Sequence, residues 1–205
     1  MGAVLRISVR WAVLCRAAAL CLGLPLVATL LLVPSSAVAQ TSAWEPRANC
    51  TVSARGAGGL VSVAQQALER VHADHRVTQT INASADPANY HGQDQVEGGY
   101  AYTAAVDLSV NCLRDDDIKQ LLSALADAGF AAWYRSDGRD GWKGKAHVHA
   151  VYAVEPLKPQ LRGQVKSWLA GRTGLKGDAV YKYWQPAGAQ RQAVERSYQA
   201  SKPAQ

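Results

Sequence analysis

The chain has 205 residues, 48% of them hydrophobic, and it carries 22 Lys and Arg against 16 Asp and Glu, a net charge of +6. This length is enough for one domain with a real core. No basic run alternates with aromatic residues, as a nucleic-acid-binding surface would require, so that class of function is excluded.

The first 39 residues have the pattern of a cleaved signal peptide. A basic start precedes an apolar run over 17–33, and Ala37-Val38-Ala39 offers a cleavage site before Gln40. An uncleaved transmembrane anchor is the alternative, but the run is shorter than the ~20 residues that a span needs. We therefore expect a periplasmic or secreted protein without stable membrane insertion. Cleavage removes three arginines, which leaves 19 basic against 16 acidic residues, about +3.

Cysteine usage agrees with export. Two of the four cysteines leave with the signal peptide, and Cys50 and Cys112 remain. An even pair in an oxidising compartment predicts one disulfide. A thiol metal site is the alternative, although no CxxC spacing supports it.

The N-terminal half of the mature chain predicts a lead-in followed by a helix, a strand and a loop. Residues 40–58 form an extended lead-in, and the domain proper covers 59–185. Apolar residues at helical spacing predict an amphipathic helix over 60–75. A short strand follows over 76–82, and the aperiodic 83–99 predicts a long loop.

The next segments alternate between strands and helices. Residues 101–110 predict a strand, and the helix after it has Asp115–Asp117 as its N-cap and Gly129 as its stop. The remaining predictions are a strand at 130–135, a loop at 136–145, a strand at 146–154, a helix at 159–170, a short strand at 179–184 and a polar, disordered tail at 186–205. This mixture predicts an α+β fold, with a central, mainly antiparallel sheet and flanking helices.

Several side chains suggest a metal site. Asp107 interrupts an apolar strand, and a buried carboxylate there needs a strong partner. His147 and His149 lie one residue apart in a later strand, so they share a face. Asp107 paired with an arginine, and histidines on a solvated face or satisfied in the core, are the alternatives. Together, carboxylate and imidazole are the ligands of a tetrahedral zinc site with one position left for water.

The blocks "YAYTAAVDLSV", "GFAAWYR" and "GKAHVHAVYA" resemble the zinc D-alanyl-D-alanine carboxypeptidases and their relatives, which include the lysostaphin-type endopeptidases and the Hedgehog signalling domain. The resemblance covers about residues 77–175. It implies a Hedgehog/DD-peptidase-like fold, zinc as cofactor and a peptidoglycan peptide as substrate. It also implies that Asp107 and His149 bind the metal, while His147 is catalytic and polarises the substrate carbonyl or stabilises the oxyanion.

The sequence departs from that family at two places. Where the family has its first zinc histidine, seven residues before the aspartate, this chain has Tyr100. His91 in the preceding loop is the candidate replacement, and an ordinary loop histidine is the alternative. Where the family often has a general base, before the histidine pair, Lys143 and Gly144 stand instead. Asp137 and Asp140 in the neighbouring loop are the alternatives for that role.

Two further residues are predicted to bind substrate. Arg135 can hold a carboxylate through paired hydrogen bonds, and Trp133 can form a platform for sugar or peptide. Ordinary packing and a surface arginine are the alternatives for these two side chains.

Three hypotheses follow for the whole protein. The first is an exported zinc peptidase acting on peptidoglycan stem peptides, as a carboxypeptidase or endopeptidase. The second is a catalytically degenerate member of the same fold that binds wall peptide or a protein partner. The third is a structural exported domain in which the histidines are incidental.

Overall fold

The computed structural model describes residues 52, 58–82, 89–93, 95–97, 100–154 and 157–200, with only the backbone described for 95–97, 100 and 101. The predicted signal peptide and Cys50 lie outside these residues, as does the lead-in apart from 52 and 58. The disulfide between Cys50 and Cys112 therefore stays a prediction. No helix of the described residues is both long and apolar enough to span a bilayer.

The protein is an α+β domain, as predicted, built on an antiparallel four-stranded sheet with flanking helices. The strands are β1 (Val77–Gln79), β2 (Gln95–Glu97), β3 (Tyr100–Tyr102), β4 (Ala105–Ser109), β5 (Phe130–Arg135) and β6 (His147–Tyr152). The helices are α1 (Ser62–Arg70), α2 (Asp115–Asp127), α3 (Pro159–Leu169) and α4 (Gly188–Ala200). The large sheet has the order β1-β4-β6-β5, and β2 and β3 form a separate hairpin.

The core surrounds this sheet. Most residues of β4, β5 and β6 are buried, because α3 packs against β5 and β6, α2 packs against β5, and α4 packs against α2 and α3. Helix α2 buries Ile118, Leu121, Leu122 and Leu125, and Gly129 ends the helix with a φ of +96°. A left-handed residue directly after a helix is the position that glycine occupies at least cost.

Five local predictions were wrong. The predicted tail contains α4, which buries Val194 and Tyr198. The loop 83–99 contains β2, and the strand predicted over 101–110 is divided between β3 and β4. The N-cap of α2 is Arg114, whose backbone N–H donates to the Asp117 carboxylate at 2.8 Å. The strand predicted over 179–184 is reduced to one bridge, between Arg172 and Val180.

The break between β3 and β4 has a local cause. Thr103 donates its N–H to Gly59 O at 2.8 Å and accepts from Val61 N at 2.9 Å, so it pairs with the chain entering α1. The segment predicted as one strand therefore contributes β3 to the hairpin and β4 to the large sheet. The alternation of side chains along a strand does not reveal such a change of pairing partner.

Candidate metal centre

The sheet register brings two of the predicted ligands together. Asp107 on β4 lies directly opposite His149 on β6, and Trp133 on β5 lies opposite His149 from the other side. Directly opposed residues in an antiparallel pair point to the same face. The Nδ1 atom of His149 lies 2.9 Å from Asp107 Oδ1 as a result.

His91 completes the group from outside the sheet. Its Nε2 atom lies 3.2 Å from Asp107 Oδ1, and its ring meets that of His149 edge-on at 5.3 Å between centroids. One ligand atom from each of His91, Asp107 and His149 lies within 4.8 Å of the others, so these three residues could hold a metal ion. Ligand atoms around a tetrahedral zinc lie about 3.4 Å apart, since each bond is ~2.1 Å long. The two contacts to Asp107 are already close to that spacing.

The outer nitrogen of the His91 ring is occupied by the backbone. Nδ1 lies 2.8 Å from Thr80 O. A carbonyl oxygen only accepts hydrogen bonds, so this nitrogen carries the ring proton. A neutral His91 therefore presents the lone pair of Nε2 to Asp107.

His149 has acceptors at both ring nitrogens. Its Nε2 atom lies 3.1 Å from Gln164 Oε1, and the amide nitrogen of Gln164 donates to Gly174 O at 3.5 Å, which turns the amide oxygen toward the ring. Gly174 has a φ of +63°, and a Cβ there would lie 3.2 Å from the Trp133 ring. Any larger residue at 174 would disturb this wall of the site.

His147 lies at the edge of the group. Its Nδ1 atom lies 2.9 Å from Lys145 O, so the ring proton is again directed at a carbonyl, and its Nε2 atom lies 3.7 Å from Asp107 Oδ1. The Trp142 ring meets the His147 ring edge-on at 5.0 Å. His147 is not one of the three grouped ligands.

The proton count favours a cation. Three imidazoles face one carboxylate oxygen, and each directs its other nitrogen at an oxygen acceptor. Neutral rings with their protons on the outer nitrogens would aim lone pairs at an anion, whereas three protonated rings would concentrate positive charge in a buried site. A divalent metal among neutral rings satisfies both sets of contacts, and outer hydrogen bonds of this kind orient the ligands in zinc sites.

The electrostatics follow from burial and hydrogen bonding. Burial alone would raise the pKa of Asp107, but the His149 and His91 side chains beside its carboxylate outweigh it and hold that pKa well below the usual range. Burial lowers the pKa of His149, so its neutral form is favoured. An ionised aspartate beside a neutral histidine is the protonation state that metal binding requires.

Trp133 and Arg135, the residues predicted to bind substrate, are both buried. Trp133 is fully buried, stacks on the His149 ring at 6.0 Å, and donates its indole N–H to Arg172 O at 2.8 Å. Arg135 is 2% exposed and donates through Nη2 to Thr173 O at 2.5 Å. Within the described part of the chain, its buried Nη1 atom has no hydrogen-bond partner. Substrate contact by either residue stays a prediction.

Tyr100, which stands at the position of the family's first zinc histidine, and the two alternative bases lie in different environments. The Tyr100 backbone belongs to β3, where it pairs with Glu97. Asp137 is exposed and accepts a hydrogen bond from Gly144 N at 3.1 Å. Asp140 has a positive φ of 50° and a buried Oδ2 atom with no hydrogen-bond partner among the described residues. The two alternative bases therefore differ in exposure, since Asp137 is exposed and the Oδ2 atom of Asp140 is buried.

Sequence reasoning missed Gln164. It lies on the inward stripe of α3, with Leu161, Val165 and Trp168, and is 2% exposed. A polar residue inside an otherwise apolar stripe is a signal that could have identified it, because buried amides need partners.

No protein-family model matches the chain, and neither a curated protein nor a solved structure matches it.

Proposed function

We propose that the protein is an exported zinc-dependent peptidase that acts on peptidoglycan stem peptides, as a carboxypeptidase or an endopeptidase. The observation that carries the proposal is the convergence of His91, Asp107 and His149, with ligand atoms within 4.8 Å of one another. His91 supplies the third ligand that Tyr100 does not. Two imidazoles and one carboxylate form a ligand set that suits zinc and leaves a position open.

In this proposal, different residues of the chain bind the metal, transfer a proton and bind the substrate. Zinc, when bound by His91, Asp107 and His149, supplies Lewis acidity toward a substrate carbonyl. His147 keeps its Nδ1 proton on Lys145 O, so its Nε2 atom can accept a proton from an attacking water and return it to the leaving amine. Arg135 is the predicted group for a substrate carboxylate, and the donor it would use is its Nη1 atom, which is buried and has no hydrogen-bond partner among the described residues.

Our second candidate is a degenerate relative that binds wall peptide or a protein partner without cleaving it. It is favoured by the residues at the family's general-base position, Lys143 and Gly144, neither of which has a carboxylate. The exposed carboxylate of Asp137 is bonded to Gly144 N. If His147 and Asp140 do not replace that base, the rate falls by a factor of about 10²–10⁴.

Metal analysis of the purified mature protein, combined with mass spectrometry of D-alanine or peptide release from wall peptides, tests the proposal. The parent protein is expected to hold one zinc, and His91→Ala and His149→Ala are expected to lose it. His75→Ala, which changes an exposed histidine outside the group, serves as the control. A parent protein without stoichiometric zinc would exclude the peptidase, and zinc without turnover would favour the degenerate relative.

A further inference from the structure

His91 is carried by a tight turn over 89–92. Gly92 N donates to Asn89 O at 3.0 Å, and His91 N donates to the Asn89 side chain at 3.0 Å. The His91 carbonyl accepts from Asn82 N at 2.7 Å. These bonds shape the turn, and among the described residues the contact with Asn82 ties its backbone to the preceding chain. The His91 ring also contacts Thr80 O, and the Tyr90 hydroxyl donates to Gly174 O at 3.3 Å. The position of His91 over the sheet therefore depends on contacts from outside the turn.

Lys158 supplies such a contact. Its Nζ atom donates to Asn89 O and to Gly92 O, each at 2.6 Å, so one ammonium bridges both ends of the turn. Lys158 is the N-cap residue of α3, and its own carbonyl accepts from Arg162 N at 3.0 Å. Hydrogen bonds from a charged donor are stronger than those between neutral groups.

We propose that Lys158 is a positioning residue that holds the Asn89–Gly92 turn so that His91 Nε2 faces Asp107. This inference rests on the metal centre proposed above. Asp107 and His149 are set by strand register, whereas His91 belongs to none of the described strands and needs an external support. Helix α3 then orients two ligands, His149 through Gln164 and His91 through Lys158.

The zinc affinity of substituted proteins tests the proposal. Lys158→Met keeps the aliphatic stem and removes both donors, and we expect about 10–100-fold weaker zinc binding, the usual effect of losing an outer support of a ligand. Lys158→Arg, which retains several donors, should recover most of the affinity. Lys166→Met, at an exposed position of the same helix, should bind zinc like the parent protein.

A double substitution shows whether Lys158 acts through His91. In a His91→Ala background, Lys158→Met should weaken any residual zinc binding no further, because residues that act through one another are not additive. Unchanged zinc affinity in the single variant, or a full additional loss in the double variant, would overturn the proposal.

Hydrogen exchange of the metal-free protein separates this inference from the proposed function. Lys158→Met should speed amide exchange at His91 and Gly92 by about tenfold or more, since the turn loses two charge-assisted bonds, and leave β4 unchanged. Absence of zinc from the parent protein would remove the metal centre while exchange still reports on the turn. Equal exchange in the parent and variant would show that Lys158 does not hold it.

Discussion

Replacing Gln164 by leucine removes the acceptor that faces the buried ring of His149. The two atoms concerned, His149 Nε2 and Gln164 Oε1, lie 3.1 Å apart, and the two residues are 5% and 2% exposed. In the metal-free protein, His149 can keep its proton on Nδ1, toward Asp107. With a metal on Nδ1 the proton must be on Nε2, where leucine offers no acceptor. The cost of the substitution therefore falls on the metal-bound state.

The size of this effect follows from the unpaired donor. A buried N–H left without an acceptor costs ~1–3 kcal/mol, and each ~1.4 kcal/mol changes an affinity tenfold. We expect zinc binding by Gln164→Leu to be roughly 10–100-fold weaker, which agrees with the usual effect of losing an outer ligand partner. Competition with a chromophoric chelator at fixed pH measures it.

Gln164→Glu is the matched variant. Both substitutions remove the amide donor that reaches Gly174 O at 3.5 Å, but only leucine also removes the acceptor for His149. We expect the glutamate variant to bind zinc at least about tenfold more tightly than the leucine variant, because a carboxylate accepts the same N–H. Equal affinities in the two variants would refute the reasoning, since the loss would then come from packing around Gly174.

Three other predictions concern catalysis, acid sensitivity and the C-terminal helix. His147→Ala should keep its zinc and lose about 10²–10⁴-fold in peptide release, whereas loss of zinc would make His147 a ligand. In the metal-free protein, the free energy of unfolding measured in urea should fall as the pH is lowered from about 7.5 to about 5.5, because burial lowers the pKa of His149 and the unfolded chain then binds more protons. Because the pKa of His75 is lowered too, the same measurement on His75→Ala serves as the control. A free energy of unfolding that rises in acid would instead indicate protonated histidines paired with the aspartate. Tyr198→Ala should lower the free energy of unfolding in urea by ~3–5 kcal/mol. The control, Glu195→Ala at an exposed position of the same helix, should lower it by ~0.5 kcal/mol or less. Equal effects would mean that α4 contributes nothing to the core.

The elements that the sequence predicts well are those with a dense apolar pattern. The strands β5 and β6 are nearly continuous buried runs, and the helices α1, α2 and α3 each bury residues at helical spacing. Helix α4 has only Val194 and Tyr198 buried. Polar contacts hold it as well, such as Gln190 Nε2 with Asp127 Oδ2 at 3.3 Å and Arg191 with Leu169 O. Contacts of this kind leave no periodic signal in a sequence.

The same distinction applies to the site. Asp107, His147 and His149 are conspicuous because they interrupt apolar strands, and register alone brings them together. His91 was a candidate only because Tyr100 could not serve. Lys158 and Gln164 act through the packing of α3 over the site, so their partners are 66 and 15 residues away in the chain and no local pattern connects them.

The supports of the three ligands explain how this chain can lack a histidine at residue 100 and still form the group. Strand register fixes Asp107 and His149, since a slip of one residue would move both side chains to the other face. The third ligand has no such requirement. It can come from any segment whose turn is held at the right height over the sheet, and Lys158 and Thr80 O hold the turn and ring of His91 there. Substitutions along β4 and β6 should therefore disturb the whole group, whereas substitutions around residues 89–92 should affect one ligand and leave the Asp107–His149 pair intact.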